Sequence, residues 1–514
     1  MFIRKKYNKS SKTTSVHIQE TVDGKSRFIK NIGKASNEEE LEKLIWEARK
    51  YISEAKVDSD QLSLLPSEEE IESYEEKIIK AMPVPKLVNY GMKEILSKLF
   101  DYIGYNQIEE ELFKKLVLYR IAYPVSKLKT TSYILREEGK EISVAKVYRF
   151  LDRLRNMYQA KVEQISFEHT KRRTGKVSVL FYDMTTIYFE AEDEDDLRMI
   201  GYSKDGKFQC PQIMLGLLIA EDGYPVGYNI YQGNESEGRT LVPILEEMTE
   251  KYSLERPITV VADSGLLSKD NIKLLQDKKY KYILGARIKK EVKEIKEKIL
   301  SKSGELKDGE TFEIQKEENV RLIVNYSEKR AYKDNKTREK GLKRLDKKLK
   351  QSKKVKSFIN QRGYNKFLDL QVDSSIGIDK EKIEEDKKWD GLKGYITNSE
   401  LSHNDIITQY SHLWRIEKVF QISKTDLRIR PIYHRKEGRI KAHICISFVA
   451  YTIIKELETI LKENEIDISV NKAIDEIKNI RKVIFTPKNG KSFSIFTELS
   501  EKQKILIELF KKIF

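Results

Sequence analysis

Cysteine is nearly absent from this chain: Cys210 and Cys445 are the only two among 514 residues. Two thiols cannot build a disulfide scaffold, and with six scattered histidines they do not make a structural zinc cluster. Long apolar runs are missing too, and a membrane-spanning helix needs about 18 or more such residues. The basic start, MFIRKKYNKSSKTT, has no apolar segment behind it and does not read as a secretory signal. A reducing cytoplasm and no membrane partner are therefore expected. The phosphate-loop pattern GxxxxGK[ST] is absent, as is any signature of a nucleophilic Ser/His/Asp set. No internal repeat is present.

What the chain does have is charge and enough apolar residues to fold. Hydrophobic residues make up 39 %, which excludes a chain disordered throughout. The length predicts more than one folding unit. Lys and Arg number 97 against 82 Asp and Glu, a net +15 that favours a polyanionic partner. Charge of this kind speaks about partners and not about fold.

Residues 1–54 read as a small sheet followed by a helix. A hairpin turn is expected at Asp23-Gly24-Lys25, and a helix cap at Ser36 with Glu39 completing a capping box. The polar, acidic stretch 55–84 reads as a linker. Residues 85–160 look all-helical, with two short helices around Glu138-Gly139-Lys140 that resemble a helix-turn-helix. Ser143, Lys146 and Arg149 are then available for DNA backbone contacts, with an ordinary helical bundle as the alternative.

From 176 the pattern changes to strands rich in Val, Ile, Tyr, Phe and Thr. Three antiparallel-type strands, then alternating helices and strands through 287, predict an α+β or mixed α/β layout. Residues 288–395 interrupt it. They include a basic stretch, 321–360, with 15 basic and 4 acidic groups. Strand-like sequence resumes at 391, and one long helix is expected from Ser402, capped with Asp405 three residues on. AHICISFVAYTIIKELETI reads as a helix buried against the sheet. Residues 461–514 form a helical tail with one break at Thr486-Pro487-Lys488-Asn489-Gly490.

Three carboxylates stand out. Asp183 sits inside a strand, in LFYDMTTIYF, where an ionised group must be paired, hydrogen-bonded or metal-bound. Asp263 ends a second strand, in ITVVADSG, and strand C-termini often open onto ligand crevices. Glu417 lies mid-helix in HLWRIEKVF. Taken singly, each also fits a solvated edge, a turn or an ordinary helix surface. Together, two strand aspartates and a helix glutamate suit hard divalent cations, and such ions serve phosphodiester chemistry. Tyr410, Glu417 and Lys424 are spaced by seven, which at about 100° per residue brings them to nearly one helix face.

The ordered set YDMTT, VVADSG and YSHLWRIEKVFQISK, followed by RPIYH and KAHICISFVAY, resembles bacterial insertion-sequence transposases of the DDE type. The resemblance is to the group with a tyrosine–arginine–glutamate–lysine box, and it covers roughly 176–460. It implies a ribonuclease-H-like catalytic core, 176–287 and 396–460, interrupted by a β-rich and helical insertion at 288–395. The N-terminal 160 residues would recognise transposon ends, and 461–514 would serve dimerisation. Further implied are two Mg²⁺ ions replaceable by Mn²⁺, double-stranded DNA with terminal inverted repeats, a target DNA, a homodimer on DNA and cut-and-paste movement.

By position, the resemblance makes Asp183, Asp263 and Glu417 the catalytic, metal-binding triad. Tyr410 and Lys424 match the box tyrosine and lysine. The box arginine falls on Leu413, and Arg415, about 200° further round a helix, is not its geometric equivalent. DNA-phosphate contacts are expected from Tyr410, Lys424, Arg415, Arg428, Arg430, His434 and Arg435, with Lys436, Arg439 and Lys441 beside them. Trp414 is expected to pack under the helix, His403, His412 and His443 to be structural or at the rim, and the acidic EAEDEDD segment to be an exposed loop. A metal-dependent nuclease and an inactive, domesticated DNA-binding relative are the alternatives to an active transposase.

Overall fold

The computed structural model describes residues 1–11, 13–22, 24–55, 85–351, 363–370, 376–486 and 492–514. They form two compact units, Met1–Lys86 with Ile484–Ser494, and Leu87–Val483 with Ile495–Phe514.

In the first unit, β1 (Phe2–Asn8), β2 (Thr13–Val22) and β3 (Lys25–Ala35) make an antiparallel sheet. Alternation along β2 sends Val16 and Ile18 to one face, where they are buried with Ala48 of helix α1 (Glu38–Glu54). The cap of α1 lies one residue later than expected. Asn37 Oδ1 accepts from Glu40 N at 2.8 Å, and the Glu40 carboxylate accepts from Ser36 N at 2.7 Å. Ser and Asn cap about equally well, so the acid placed to reach back decides the register. Asp23 of the expected turn lies outside the described residues, as do 56–84 of the expected linker and 487–491 of the C-terminal break.

After strand β4 (Lys86–Asn89) come helices α2 (Ser97–Ile103), α3 (Glu111–Ala122), α4 (Lys127–Glu138), α5 (Val144–Arg153) and α6 (Gln159–Thr174). Ser126 and Ser143 cap α4 and α5, and Gly139 ends α4 with φ +68, a left-handed turn that glycine adopts freely. Ser143 thus spends its hydroxyl on the Lys146 amide.

The sheet of the second unit holds β5 (Val179–Tyr188), β6 (Gln212–Ala220), β7 (Pro225–Gln232), β8 (Thr259–Ala262), β9 (Lys281–Ala286), β10 (Thr311–Glu317) and β11 (Val320–Tyr326). A two-stranded ribbon, β12 (Leu368–Leu370) and β13 (Ile376–Ile378), precedes its last strand, β14 (Leu392–Thr397). The strand order is β10-β11-β14-β9-β8-β5-β6-β7. Only β5/β8 and β8/β9 pair in parallel, so the sheet is mixed and the fold is mixed α/β. All nine residues of β6 are buried, as the unbroken apolar run QIMLGLLIA requires. Within 288–395, β10 and β11 do not stand apart: they extend this same sheet through β14.

Helices α7 (Leu241–Tyr252), α8 (Lys269–Asp277), α9 (Lys293–Ser303), α10 (Glu328–Gln351) and α11 (Lys380–Lys387) follow in chain order. The long helix expected from Ser402 is divided. It consists of α12 (His403–Ser411), a turn at His412 and Leu413, α13 (Trp414–Gln421) and a π-helical segment, Ile422–Asp426. Its cap is as read: Ser402 Oγ accepts from Asp405 N at 3.2 Å. Helix α14 (Glu437–Glu463) is buried along most of its length and packs on α2, α3, α5 and α6 as well as on β7. One apolar core therefore runs from the N-terminal helices through α14 to the sheet. The tail is less helical than expected. Between α15 (Val470–Ile477) and α16 (Glu501–Ile513) lie two strands, β15 (Arg481–Phe485) and β16 (Phe493–Phe496), whose alternation RKVIF and FSIF is too short to separate from helix by period alone.

Candidate active site

Parallel pairing of β5 with β8 sets Tyr182 against Ala262, so the residues that follow, Asp183 within β5 and Asp263 just past the end of β8, come to the same level. Asp183 is partly buried and accepts one hydrogen bond, from Met184 N at 2.7 Å. Burial pushes its carboxyl up to about 6; Glu237 and Asp263 add to the rise while Lys204 opposes it. Asp263 accepts from Ser264 N at 2.6 Å and from the Tyr410 hydroxyl at 3.1 Å. Burial, then the Asp263 charge, raises the Tyr410 phenol far above its ordinary range, so it remains a donor. Gly285 on β9 is what lets Tyr410 reach. A Cβ there would lie 2.4 Å from the Tyr410 hydroxyl oxygen and 3.0 Å from Ser264 N.

Glu417 lies exposed in the first turn of α13, a helix that packs against β5. Lys393 of β14 stands beside Tyr410, its ammonium 4.3 Å from the centre of that ring. Burial lowers its pKa, whereas the charges of Asp263 and Glu417 act to raise it. Lys424 falls in the π-helical segment, on the Asp183 side. Its pKa is brought down to about 8 by burial and by the like charge of Lys204, with Asp183 opposing. Lys204 bonds Met184 O at 2.8 Å and pairs with Glu237 at 2.7 Å. Lys204, Glu237, Gly285 and Lys393 are neighbours that sequence reasoning misses. Only Gly285, a glycine inside the strand YKYILGA, carries a local signal of close approach.

Because the Lys424 ammonium loses its proton near pH 8, metal-free DNA affinity should fall roughly three- to tenfold from about pH 7 to about pH 9, the contribution of one phosphate contact. Lys424→Arg, whose guanidinium keeps its charge, should flatten that profile in fluorescence anisotropy titrations. A wild-type profile already flat across this range would refute the assignment.

The other expected contacts are scattered. Arg415 turns away and donates to the backbone oxygen of Glu221 in the β6–β7 turn, beside an open cavity of about 490 Å³ lined also by Trp414, Lys418 and Lys455. Trp414 is 53 % exposed, which corrects its reading as a packing residue; Leu413, at the box arginine's position, fills the core instead. Arg428 and Arg435 are exposed, and Arg430 pairs with Asp205. His434 is pushed down to about 3 by burial and by the cations Lys127, Arg120 and Arg439, so it is neutral at pH 7. Arg439 is engaged by Asp152 in two bonds of 2.8 Å, and Lys441 pairs with Glu437. His403 contacts Thr311 and Glu313, and His443 is buried against Ile429 O. In the acidic loop, Asp195 caps the amides of Leu197 and Arg198 and pairs with the Arg198 guanidinium.

Among the described residues, no three Asp, Glu, His or Cys side chains lie close enough together to hold an ion as they stand. The donor chemistry nevertheless fits a hard cation. Asp183 has a carboxylate with room for about four hydrogen bonds and accepts one, beside Asp263, whose charge a cation would relieve, and Glu237, which Lys204 already pairs.

The family model for the transposase DDE domain matches residues 174–453, more than half of the chain and the whole stretch from β5 into α14. The chain belongs to that family. It is thus a DNA transposase, an enzyme of a metal-dependent class. Among solved structures, this transposase is similar to a piggyBac transposase synaptic complex with hairpin DNA, at 8 % identity over 81 % of this chain and 70 % of that one, TM-score 0.38. It is also similar to the catalytic domain of Mos1 mariner transposase, at 11 % identity over 28 % of this chain and 62 % of that one, TM-score 0.16. A Mos1 mariner paired end complex with Mn matches at 16 % identity over 47 % and 73 %, TM-score 0.15. No curated protein matches it. Among the described residues no helix is long and apolar enough to cross a membrane.

Proposed function

We propose that this transposase is an insertion-sequence enzyme of the tyrosine–arginine–glutamate–lysine group, in which Asp183, Asp263 and Glu417 hold two Mg²⁺ ions while transposon ends are cut and joined to target DNA. The reading rests on one observation above all. Asp183 within β5 and Asp263 just past the end of its parallel neighbour β8 stand level, with Tyr410 bonded to the second and Lys424 beside the first. A ribonuclease-H-like core is supported by the order β7-β6-β5-β8-β9, with three antiparallel strands and then two parallel to the first. Bound divalent ions would activate the attacking oxygen and stabilise the leaving one. The chain's own residues do the rest. Tyr410 fixes the Asp263 carboxylate, Lys393 offsets the charges of Asp263 and Glu417, and Lys424 with Arg428 and Arg430 receives the DNA backbone. Action as a homodimer on DNA with terminal inverted repeats belongs to the same proposal.

The test is cleavage of supercoiled DNA carrying the element's own terminal repeats, with Mg²⁺, Mn²⁺ or EDTA. Nicking at the repeat ends, lost with EDTA and in Asp263→Asn and Glu417→Gln while DNA binding persists, is the expected result. Cleavage without regard to the repeats would make the chain a nuclease. Binding with no cleavage in any metal would make it an inactive relative.

A further inference from the structure

Lys424, beside Asp183, and Arg430 already hold an anion between them, and it comes from the protein. Asp205 lies in the loop between β5 and β6. Its Oδ2 pairs with Arg430 Nη1 and lies 3.6 Å from Lys424 Nζ. All three side chains are largely withdrawn from water, 14 % exposed for Lys424, 17 % for Asp205 and 25 % for Arg430, so solvent screens their attraction weakly. The loop is anchored from beneath: the hydroxyl of buried Ser203 accepts from the amides of Asp205 and Lys207. On the other side of Asp205, Lys204 reaches Met184 O and Glu237. Tyr202 and Phe208 project from the loop, 81 % and 59 % exposed.

A carboxylate and a phosphodiester each carry one negative charge, and either can set an anionic oxygen between a lysine and an arginine, as Oδ2 of Asp205 does here. We propose that Asp205 occupies the place of a DNA backbone phosphate between Lys424 and Arg430, and that DNA must displace it to engage the site. Asp205 thereby sets the threshold for binding. A cognate end, held elsewhere as well, overcomes the exchange, while DNA bound through few contacts does so poorly. The inference rests on the reading of Lys424 and Arg430 as phosphate contacts.

The experiment measures affinity of the full chain for a random-sequence duplex by fluorescence anisotropy in EDTA, where no cleavage interferes. Asp205→Asn should bind roughly three- to tenfold more tightly than wild type, the gain from removing one competing charge. Neutralising an exposed acid elsewhere in the same β5–β6 connection, Asp193→Asn, should change affinity far less. In a background of Lys424→Met with Arg430→Met the gain from Asp205→Asn should disappear, since nothing remains to be released. Asp205→Ser and melting curves of every variant separate a binding effect from loss of fold. A folded Asp205→Asn that binds no more tightly, or more weakly, would show that Asp205 merely holds the two cations in place and would overturn the proposal. Absence of DNA binding by the wild-type chain would overturn the proposal and the phosphate-contact reading together.

Discussion

Asp183→Asn is expected to abolish strand cleavage and at the same time to make the protein more stable. The first effect follows from losing a carboxylate in a site whose cation-binding chemistry is worth several kcal/mol of barrier, a drop of at least about a thousandfold. The second follows from the environment of Asp183. Burial, with Glu237 and Asp263 nearby, raises its pKa from an ordinary 3.8 to about 6. Between those values the folded chain holds a proton that the unfolded chain has released. Stability is therefore lost as pH rises from about 4 to 6 and stays lost at pH 7. At 1.36 kcal/mol per pKa unit, and allowing for partial contact with solvent, the charge at Asp183 costs about 2 kcal/mol. Asparagine keeps the shape and drops the charge. Metal-free denaturant curves at pH 7 should show a gain near that size, shrinking to nothing below about pH 4. Divalent ion should stabilise the wild type and not the variant. A variant no more stable than wild type at pH 7 would show that Asp183 is not a charge waiting for a counterion. Persistent cleavage would remove Asp183 from the reaction.

How far such a site can be read in advance depends on the kind of information each part carries. Asp183 and Asp263 can be placed on strands because an acid inside VLFYDMTT, or at the end of ITVVAD, breaks an apolar pattern. Strand register is not written in either segment, yet the pairing of Tyr182 with Ala262 is what puts the two carboxylates level. Lys393 illustrates the same gap. It lies 130 positions from Asp263 and reaches the site because β14 pairs with β9. In a chain with 97 Lys and Arg, no local feature distinguishes it. The seven-residue spacing of Tyr410, Glu417 and Lys424 assumes one continuous helix. The turn at His412–Leu413 and the π-helical segment break that assumption, so these residues reach their surroundings by position along the chain and not by a shared stripe. Arg415 shows why a count of nearby cations overstates a DNA surface: its guanidinium is committed to the β6–β7 turn. Hydrogen bonds of that kind are tertiary, and composition does not report them.

The other large effect lies away from the carboxylates, at Glu456. Although 1 % exposed, it is surrounded by donors: His169 Nε2 at 2.8 Å, the Tyr224 hydroxyl at 2.8 Å and Arg173 Nε at 3.5 Å. Burial alone would raise its pKa, but the hydrogen bond and charge of His169, with Tyr224 and Arg173, leave it below the ordinary range. It is therefore ionised at neutral pH. These contacts tie α14 to the end of α6 and to the start of the β6–β7 hairpin. The same hairpin turn holds α12 and α13, through Gln409 on the Glu221 side chain at 2.9 Å and Arg415 on the Glu221 backbone. Glu456→Ala leaves an imidazole and a phenol without their acceptor, while Arg173 keeps Glu463 and the Tyr224 hydroxyl, and should destabilise the fold by about 3–5 kcal/mol. Glu456→Gln keeps an acceptor and should cost less, about 1–3 kcal/mol. Because the folded pKa is depressed, the Glu456 contribution is present at neutral pH and is lost as pH falls through the acid range, so wild type and Glu456→Gln should converge in stability there. If the hairpin carries the loss to α13, cleavage by Glu456→Ala should fall well below its melting temperature while Glu456→Gln stays close to wild type. Equal stability of the alanine variant and wild type in urea titrations would mean that the network is ornamental. A destabilised alanine variant with undiminished cleavage would confine its role to holding α14 in place.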